Sequence, residues 1–226
     1  MFLSAPEARA GQGAGLQYQL VIFDFDGTLA DTFPFFLEAY SVVAAAHGLR
    51  RLDHQQLDTL RGLSSRQLMA HVGLPLWKLP RVAQHFHTLM GERIEQIALF
   101  DGVHVLLRQL AAQGVQLAIV SSNSLANVRR VLGPDSAALF TRIECGVALF
   151  GKRSKLRRLV RASGVPRARV LCVGDELRDA DAAQAEGLAF GAVTWGYSSA
   201  AALRARAPTL LLRDVAELAQ ALAPAV

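Results

Sequence analysis

Short apolar runs recur along this chain at residues 20–25, 116–121, 170–174 and 189–195, and more weakly at 143–146 and 209–212. They carry little of the every-second-residue alternation of a half-exposed strand, which is the pattern of strands covered on both faces. Between them lie stretches with helical spacing of apolar residues, at 103–113, 125–132, 154–163, 178–185, 200–205 and 215–222, with Gly114, Gly133, Gly164 and Gly187 placed as stops. Strand and helix alternate, so the chain reads as an α/β protein with a doubly wound parallel sheet. One interval breaks the rhythm. From 32 to 99 there is only helical periodicity, punctuated by Gly48, Gly62, Gly73, Pro75 and Pro80, which reads as a separate helical unit inserted after the first strand. The expected organisation is a loose tail at 1–17, a core built from 18–31 and 100–226, and an inserted α-helical domain at 32–99.

With 226 residues, 52% of them hydrophobic, the chain has enough apolar content to bury a sizeable core. Polar residues such as Glu38, His47 and Arg50 interrupt every candidate for the roughly 18-residue apolar run that a membrane helix needs, so no membrane partner is expected. The N-terminus lacks a cationic start followed by an apolar stretch and does not resemble a secretory signal. Cys145 and Cys172 are too few for a disulfide framework and lie in apolar stretches, which fits a reducing cytoplasm. A net charge of +5 allows attraction to anions without choosing between phosphate esters and nucleic acid. Much of the basic charge falls in one stretch, from Lys152, Arg153, Lys155, Arg157, Arg158 and Arg161 to Arg167 and Arg169, with Leu156, Leu159 and Val160 at helical spacing through it. This reads as a helix with a solvated basic face. A non-catalytic, nucleic-acid-binding or regulatory use of that 152–169 segment is the rival to an enzymatic reading.

The first strand runs directly into Asp24-Phe25-Asp26-Gly27-Thr28-Leu29-Ala30-Asp31. Two residues apart on an extended chain, Asp24 and Asp26 project to the same side, while Phe23 and Phe25 project to the other. They stand at the carboxyl end of a strand, where open α/β sheets place their ligands, and Gly27 lets a turn or ligand approach the backbone. Aspartates also serve as turn and cap residues. Paired carboxylates at the end of an apolar strand are costly, however, unless they bind something.

That octapeptide resembles the first motif of the haloacid dehalogenase superfamily, and three later segments resemble its other motifs in the same order. They are Ser121-Ser122-Asn123 after the strand at 116–121, Lys152 in Phe150-Gly151-Lys152, and Gly174-Asp175-Glu176-Leu177-Arg178-Asp179 after the strand at 170–174. The resemblance spans 20–196 and is similar to the branch of phosphoglycolate phosphatases and β-phosphoglucomutases with a helical cap. It implies a Mg²⁺-dependent phosphatase acting on a small phosphorylated metabolite. Asp24 would be the nucleophile that forms an aspartyl-phosphate, and Asp26 the acid and then base. Ser121, Ser122, Asn123 and Lys152 would bind the phosphoryl group. The metal ligands would be Asp24, Asp26 through its backbone carbonyl, and Asp175, with Asp179 direct or supporting. A phosphomutase shares all these motifs and remains the alternative; a dehalogenase is disfavoured because Asp26 is present. Nucleic acid is not an expected partner on this reading, and a monomer or homodimer is expected.

The unit at 32–99 corresponds by resemblance to the cap, and Arg61 and Gly62 in Leu60-Arg61-Gly62-Leu63-Ser64-Ser65-Arg66 to a substrate-reading loop. Arg61 is equally an exposed cation at a helix end. Trp77 is expected in the cap core. His85 and His87 cannot share one helix face and give no zinc site. Glu176 and Asp181 are expected to face solvent or cap the next helix. The sequence departs from the family pattern where Arg153 follows Lys152, where many members have proline, and at Asp101. Lys155 lies one turn beyond Lys152, which is preferred for its spacing from Asp175.

Overall fold

The computed structural model describes residues 17–146 and 151–224, so all of the expected tail except Gln17, the apolar segment 147–150 with Phe150, and the last two residues lie outside it. Six parallel strands, β1 (Leu20–Phe23), β2 (Gln116–Val120), β3 (Phe140–Glu144), β4 (Val170–Gly174), β5 (Ala189–Val193) and β6 (Leu210–Leu212), form one sheet in the order β3-β2-β1-β4-β5-β6. The chain moves outward from β1 through β2 to β3, then returns to β4 on the other side of β1 and continues outward. That reversal opens a crevice at the carboxyl ends of β1, β2 and β4.

Both faces of the sheet are covered, which is why its strands read as continuous apolar runs. On one face Val21, Phe23, Leu117, Ile119, Leu171 and Val173 pack with the helices α5 (Val103–Ala112), α6 (Leu125–Ala138) and α10 (Val215–Ala221). On the other, Leu20, Ile22, Val120 and Cys172 meet α7 (Lys152–Ser163), α8 (Leu177–Ala185) and α9 (Ala200–Arg204). The strand β3 is an edge, and its exposed Thr141 and Arg142 explain why its start was not legible as an apolar run. The helix α6 continues past its expected stop. Gly133 leaves helical geometry with φ 70° and Pro134 restarts the coil, so the glycine produces a kink where an end was expected.

The inserted segment folds as α1 (Phe33–His47), α2 (Leu57–Leu60), α3 (Ser65–Val72) and α4 (Leu79–Glu92), with no strand among its described residues. Gly48 and Gly73 end α1 and α3 in the left-handed conformation, and Ser64 with Gln67 forms a capping box at the start of α3. Tyr40, Ala44 and Val72 are buried together beneath Phe36, Leu68 and Phe86. Trp77 is a correction to the sequence reading: it is 71% exposed, its ring next to the Lys78 ammonium instead of in the cap core. The two connections to the core lie side by side. Asp31 N donates to Ala98 O at 2.9 Å and Phe100 N to Leu29 O at 2.9 Å, so entry and exit form a short antiparallel pair directly after the Asp24–Asp26 segment.

The basic helix α7 is not simply a solvated face. Arg153, Arg157 and Arg167 converge on the buried carboxylate of Glu186, and Lys155 and Arg158 on Glu144. The guanidinium groups hold the Glu186 carboxyl down to about 2. Those arginines stay 42–63% exposed, so the basic face is solvated and at the same time paired with acids of the fold, while Lys152 points into the crevice.

Candidate active site

The strand β1 ends at Phe23, two residues earlier than its apolar run. Asp24 is still held in line, because its N–H donates to Val173 O of β4 at 2.8 Å. The chain then turns: Gly27 takes φ 74°, and the N–H groups of Leu29 and Ala30 both donate to Phe25 O. Only glycine fits here for a second reason, since a Cβ on Gly27 would lie 2.4 Å from Asp175 Oδ2. Phe25 is fully buried on the apolar side, while Asp24 and Asp26 face the crevice.

Asp24 meets the Lys152 ammonium at 2.5 Å, and its other oxygen accepts from Phe25 N at 2.8 Å. The same ammonium also contacts Asp179. Burial on its own would raise the Asp24 carboxyl, but the charges of Lys152 and Arg178 outweigh it and hold the group below its ordinary value. Asp26 has the opposite balance. Desolvation and the neighbouring Asp24 charge push it up to about 7, against the pull of Asn123, whose Nδ2 donates to both its oxygens at 2.9 and 3.2 Å. Environments that drive two carboxylates apart in this way separate a group that stays ionised from one that carries a proton.

Asp175, at the tip of β4, is completely buried and accepts from Thr28 Oγ1 at 2.6 Å and from Tyr197 N at 2.7 Å. Asp179, in the first turn of α8, accepts from Glu176 N at 3.2 Å through Oδ2. One carboxylate oxygen each from Asp24, Asp175 and Asp179 lie within 4.8 Å of one another. Burial and mutual repulsion raise Asp175 well above its ordinary value and Asp179 to about 7. Three crowded acids served by one lysine and one arginine are short of positive charge, and a donor set made only of hard oxygens fits a cation such as Mg²⁺ better than one that prefers nitrogen or sulfur.

At the tip of β2, Ser121 is buried, its Oγ accepting from Asn123 N at 2.9 Å and lying 3.5 Å from Asp26 Oδ2. Ser122 Oγ accepts from Arg178 at 3.3 Å. The structure thus brings Asp24, Asp26, Ser121, Ser122, Asn123, Lys152, Asp175 and Asp179 to one crevice, with Lys155 turned away to Glu144. Glu176 begins α8 with a capping box, and Asp181 is a surface partner of Arg206.

Arg61 and Gly62 lie elsewhere. The Arg61 Nε donates to Tyr197 O at 3.0 Å and its Nη2 to Gly196 O at 2.7 Å, with the guanidinium 5.3 Å over the Phe33 ring. Its own carbonyl accepts from Ser199 N at 2.9 Å. Gly62 N donates to Thr59 O in the turn that ends α2. In this arrangement Arg61 straps the cap to the loop that follows β5. We expect Arg61→Ala to lower kcat/KM about tenfold on p-nitrophenyl phosphate and on larger substrates alike, because cap placement is what it controls. A loss confined to one natural substrate in parallel assays would show direct contact with the leaving group instead.

Tyr197 is not among the site residues expected from the sequence. Its N–H holds Asp175, its hydroxyl lies 3.1 Å from Thr32 Oγ1, and its ring meets Phe33 and Phe36 edge-on. Gly196 beside it leaves no room for a Cβ, which would fall 2.2 Å from Asp175 Oδ2. The available signal was position, because Gly196-Tyr197 follows the carboxyl end of β5 on the ligand side of the sheet. Between crevice and cap lies a cavity of about 290 Å³. Asp26, Ser122, Asn123 and Arg178 are among its polar lining residues, and Phe36 and Phe86 among the apolar ones.

Residues 21–193 match the family model for haloacid dehalogenase-like hydrolases. A phosphoglycolate phosphatase from Synechococcus elongatus is 37% identical over 204 residues, covering 90% of this chain and 96% of its own. An N-acetylmuramic acid 6-phosphate phosphatase from Pseudomonas aeruginosa is 28% identical over 191 residues, covering 80% of this chain and 84% of its own. In fold, a haloacid dehalogenase-like hydrolase from Streptococcus pneumoniae superposes with a TM-score of 0.74 at 18% identity, over 92% of this chain and 99% of that one. With its crevice acids at the switch point of a doubly wound sheet, the chain belongs to the haloacid dehalogenase-like hydrolase family, in its phosphoglycolate-phosphatase-like branch.

Proposed function

We propose that this protein hydrolyses a small phosphorylated metabolite, of the phosphoglycolate or sugar-phosphate type, through an aspartyl-phosphate on Asp24. The observation that carries the reading is the pair of opposed carboxylates. Asp24 is held below its ordinary value against Lys152, and two residues on Asp26, which lines the cap cavity, is pushed up to about 7 by burial and the Asp24 charge.

The Asp24 carboxylate attacks phosphorus as the ester P–O bond breaks, and the leaving oxygen takes the proton from Asp26. Water then attacks the aspartyl-phosphate, giving its proton to the same Asp26, and phosphate departs with Asp24 restored. Lys152, together with Ser121, Ser122 and Asn123, offers fixed donors to the phosphoryl oxygens. A Mg²⁺ ion held by Asp24, Asp175 and the Asp26 carbonyl, with Asp179 beside them, would offset the negative charge of nucleophile and phosphoryl group. The relatives' names span glycolate and amino-sugar phosphates. No helix among the described residues is long and apolar enough to cross a membrane, and the two cysteines are free, which suits an enzyme of a reducing cytoplasm.

The test is Asp26→Asn assayed with Mg²⁺ on p-nitrophenyl phosphate and on alkyl phosphates. Steady-state turnover should fall by about 10²- to 10⁴-fold. Nitrophenolate leaves readily without a proton, so that substrate should show a burst of about one equivalent before slow turnover, as the aspartyl-phosphate waits for a base. Parent-like turnover by the folded variant would remove Asp26 from the chemistry.

A further inference from the structure

We propose that Arg178 binds the transferring phosphoryl group, as a second fixed cation beside Lys152; this rests on the phosphatase reading above. Arg178 stands in the first turn of α8, between Asp175 and Asp179, with its side chain only 14% exposed. Its Nη2 donates to Glu176 at 2.5 Å and to Ser122 Oγ at 3.3 Å. Its Nε and Nη1 are buried and have no acceptor among the described residues. Buried charged donors without an acceptor are costly to keep, so a fold that retains them has a use for an incoming anion.

The position says which anion. Arg178 lines the cap cavity together with Asp26, Ser122 and Asn123. It also lines a second cavity of about 470 Å³, on the side of Lys152, Ser65 and Arg66. It is therefore the one charged side chain common to the apolar space expected to hold the leaving group and the cationic space beside Lys152, with Ser65 the other residue they share. Its charge acts on both Asp24 and Asp26, which places it within electrostatic reach of the two groups expected to flank the reacting phosphorus. A planar guanidinium presents several N–H groups at once to the oxygens of a phosphoryl group, a match that the Lys152 ammonium cannot make. Glu176 holds one edge of the guanidinium and leaves the remaining donors for substrate.

The experiment uses the full-length protein with Mg²⁺ and compares parent, Arg178→Gln and Arg178→Lys. Inorganic phosphate is the inhibitor, and p-nitrophenyl phosphate and phosphoglycolate are the substrates. We expect Arg178→Gln to raise the inhibition constant of phosphate and the KM of both substrates by about tenfold to a hundredfold, with Arg178→Lys recovering part. An unchanged inhibition constant for phosphate would overturn the proposal, whatever happens to kcat. So would a loss confined to phosphoglycolate, since that would make Arg178 a contact of the leaving-group carboxylate. If the glutamine variant does not fold, the lysine variant decides alone, because it keeps the charge and removes only the fork. Failure of the underlying reading is distinguishable: the parent would then show no turnover that Asp24→Asn abolishes.

Discussion

Asp24→Asn should release phosphate from p-nitrophenyl phosphate at least roughly 10⁴-fold more slowly than the parent, without loss of fold. An amide fills nearly the same space but cannot form the acyl-phosphate bond, so the first step has no nucleophile. The fold should survive because Lys152 keeps its contact with Asp179 and the backbone N–H of Asp24 still bonds β4. Removing one of three clustered negative charges also relieves repulsion on Asp175 and Asp179. The melting temperature without metal is accordingly expected to stay close to that of the parent, the relieved repulsion offsetting the lost attraction between Asp24 and Lys152. Near-normal phosphate release from a folded variant would show that another residue attacks phosphorus.

Chelation should have an effect of similar size. With EDTA, turnover is expected to fall roughly a thousandfold and to return with Mg²⁺, since charge stabilisation by the ion is worth several kcal/mol. Zinc should restore little, because the donors are all oxygen. Stability supplies a readout separate from activity. Asp26, Asp175 and Asp179 hold their protons more tightly in the folded chain than in the unfolded one. The contribution of Asp26 and Asp179 to stability is therefore complete below the ordinary aspartate value near 4 and is lost as pH rises towards and through about 7, and Asp175 is shifted in the same direction. Asp24, shifted the other way, contributes above that ordinary value and loses its contribution only in more acid solution. The metal-free protein should melt at progressively lower temperature between about pH 5 and 7.5. Mg²⁺ at a hundred times its Kd should reverse the fall, raising the midpoint by roughly 5–10 °C. A midpoint that ignores Mg²⁺ at pH 7.5 would show that the acidic cluster does not take up the ion.

Local patterns determined much of this molecule before any contact was known. Strands covered on both faces must be apolar at every position, so β1, β2, β4 and β5 could be read from their runs, and the want of such a run across 32–99 marked the helical insertion. The edge strand β3 was harder to bound because an edge tolerates Thr141 and Arg142. Asp24, Asp26 and Asp175 were legible because each ends an apolar strand, where an unpaired carboxylate has no structural reason to be. Only the tertiary structure decided what those groups touch. Arg61 reads along the chain as a helix-end cation, and its partners are two carbonyls more than a hundred residues away at Gly196 and Tyr197. The basic run on α7 reads as a solvated face until Glu186 is found beneath it, and Trp77 reads as core until the cap leaves it outside. The contacts of Tyr197 and Arg178 carry no local signature, because they depend on which loops the sheet order brings to one crevice. Periodicity reports how much of a residue is covered, while partners are chosen by packing between distant segments, and that choice is not written in any window of the chain.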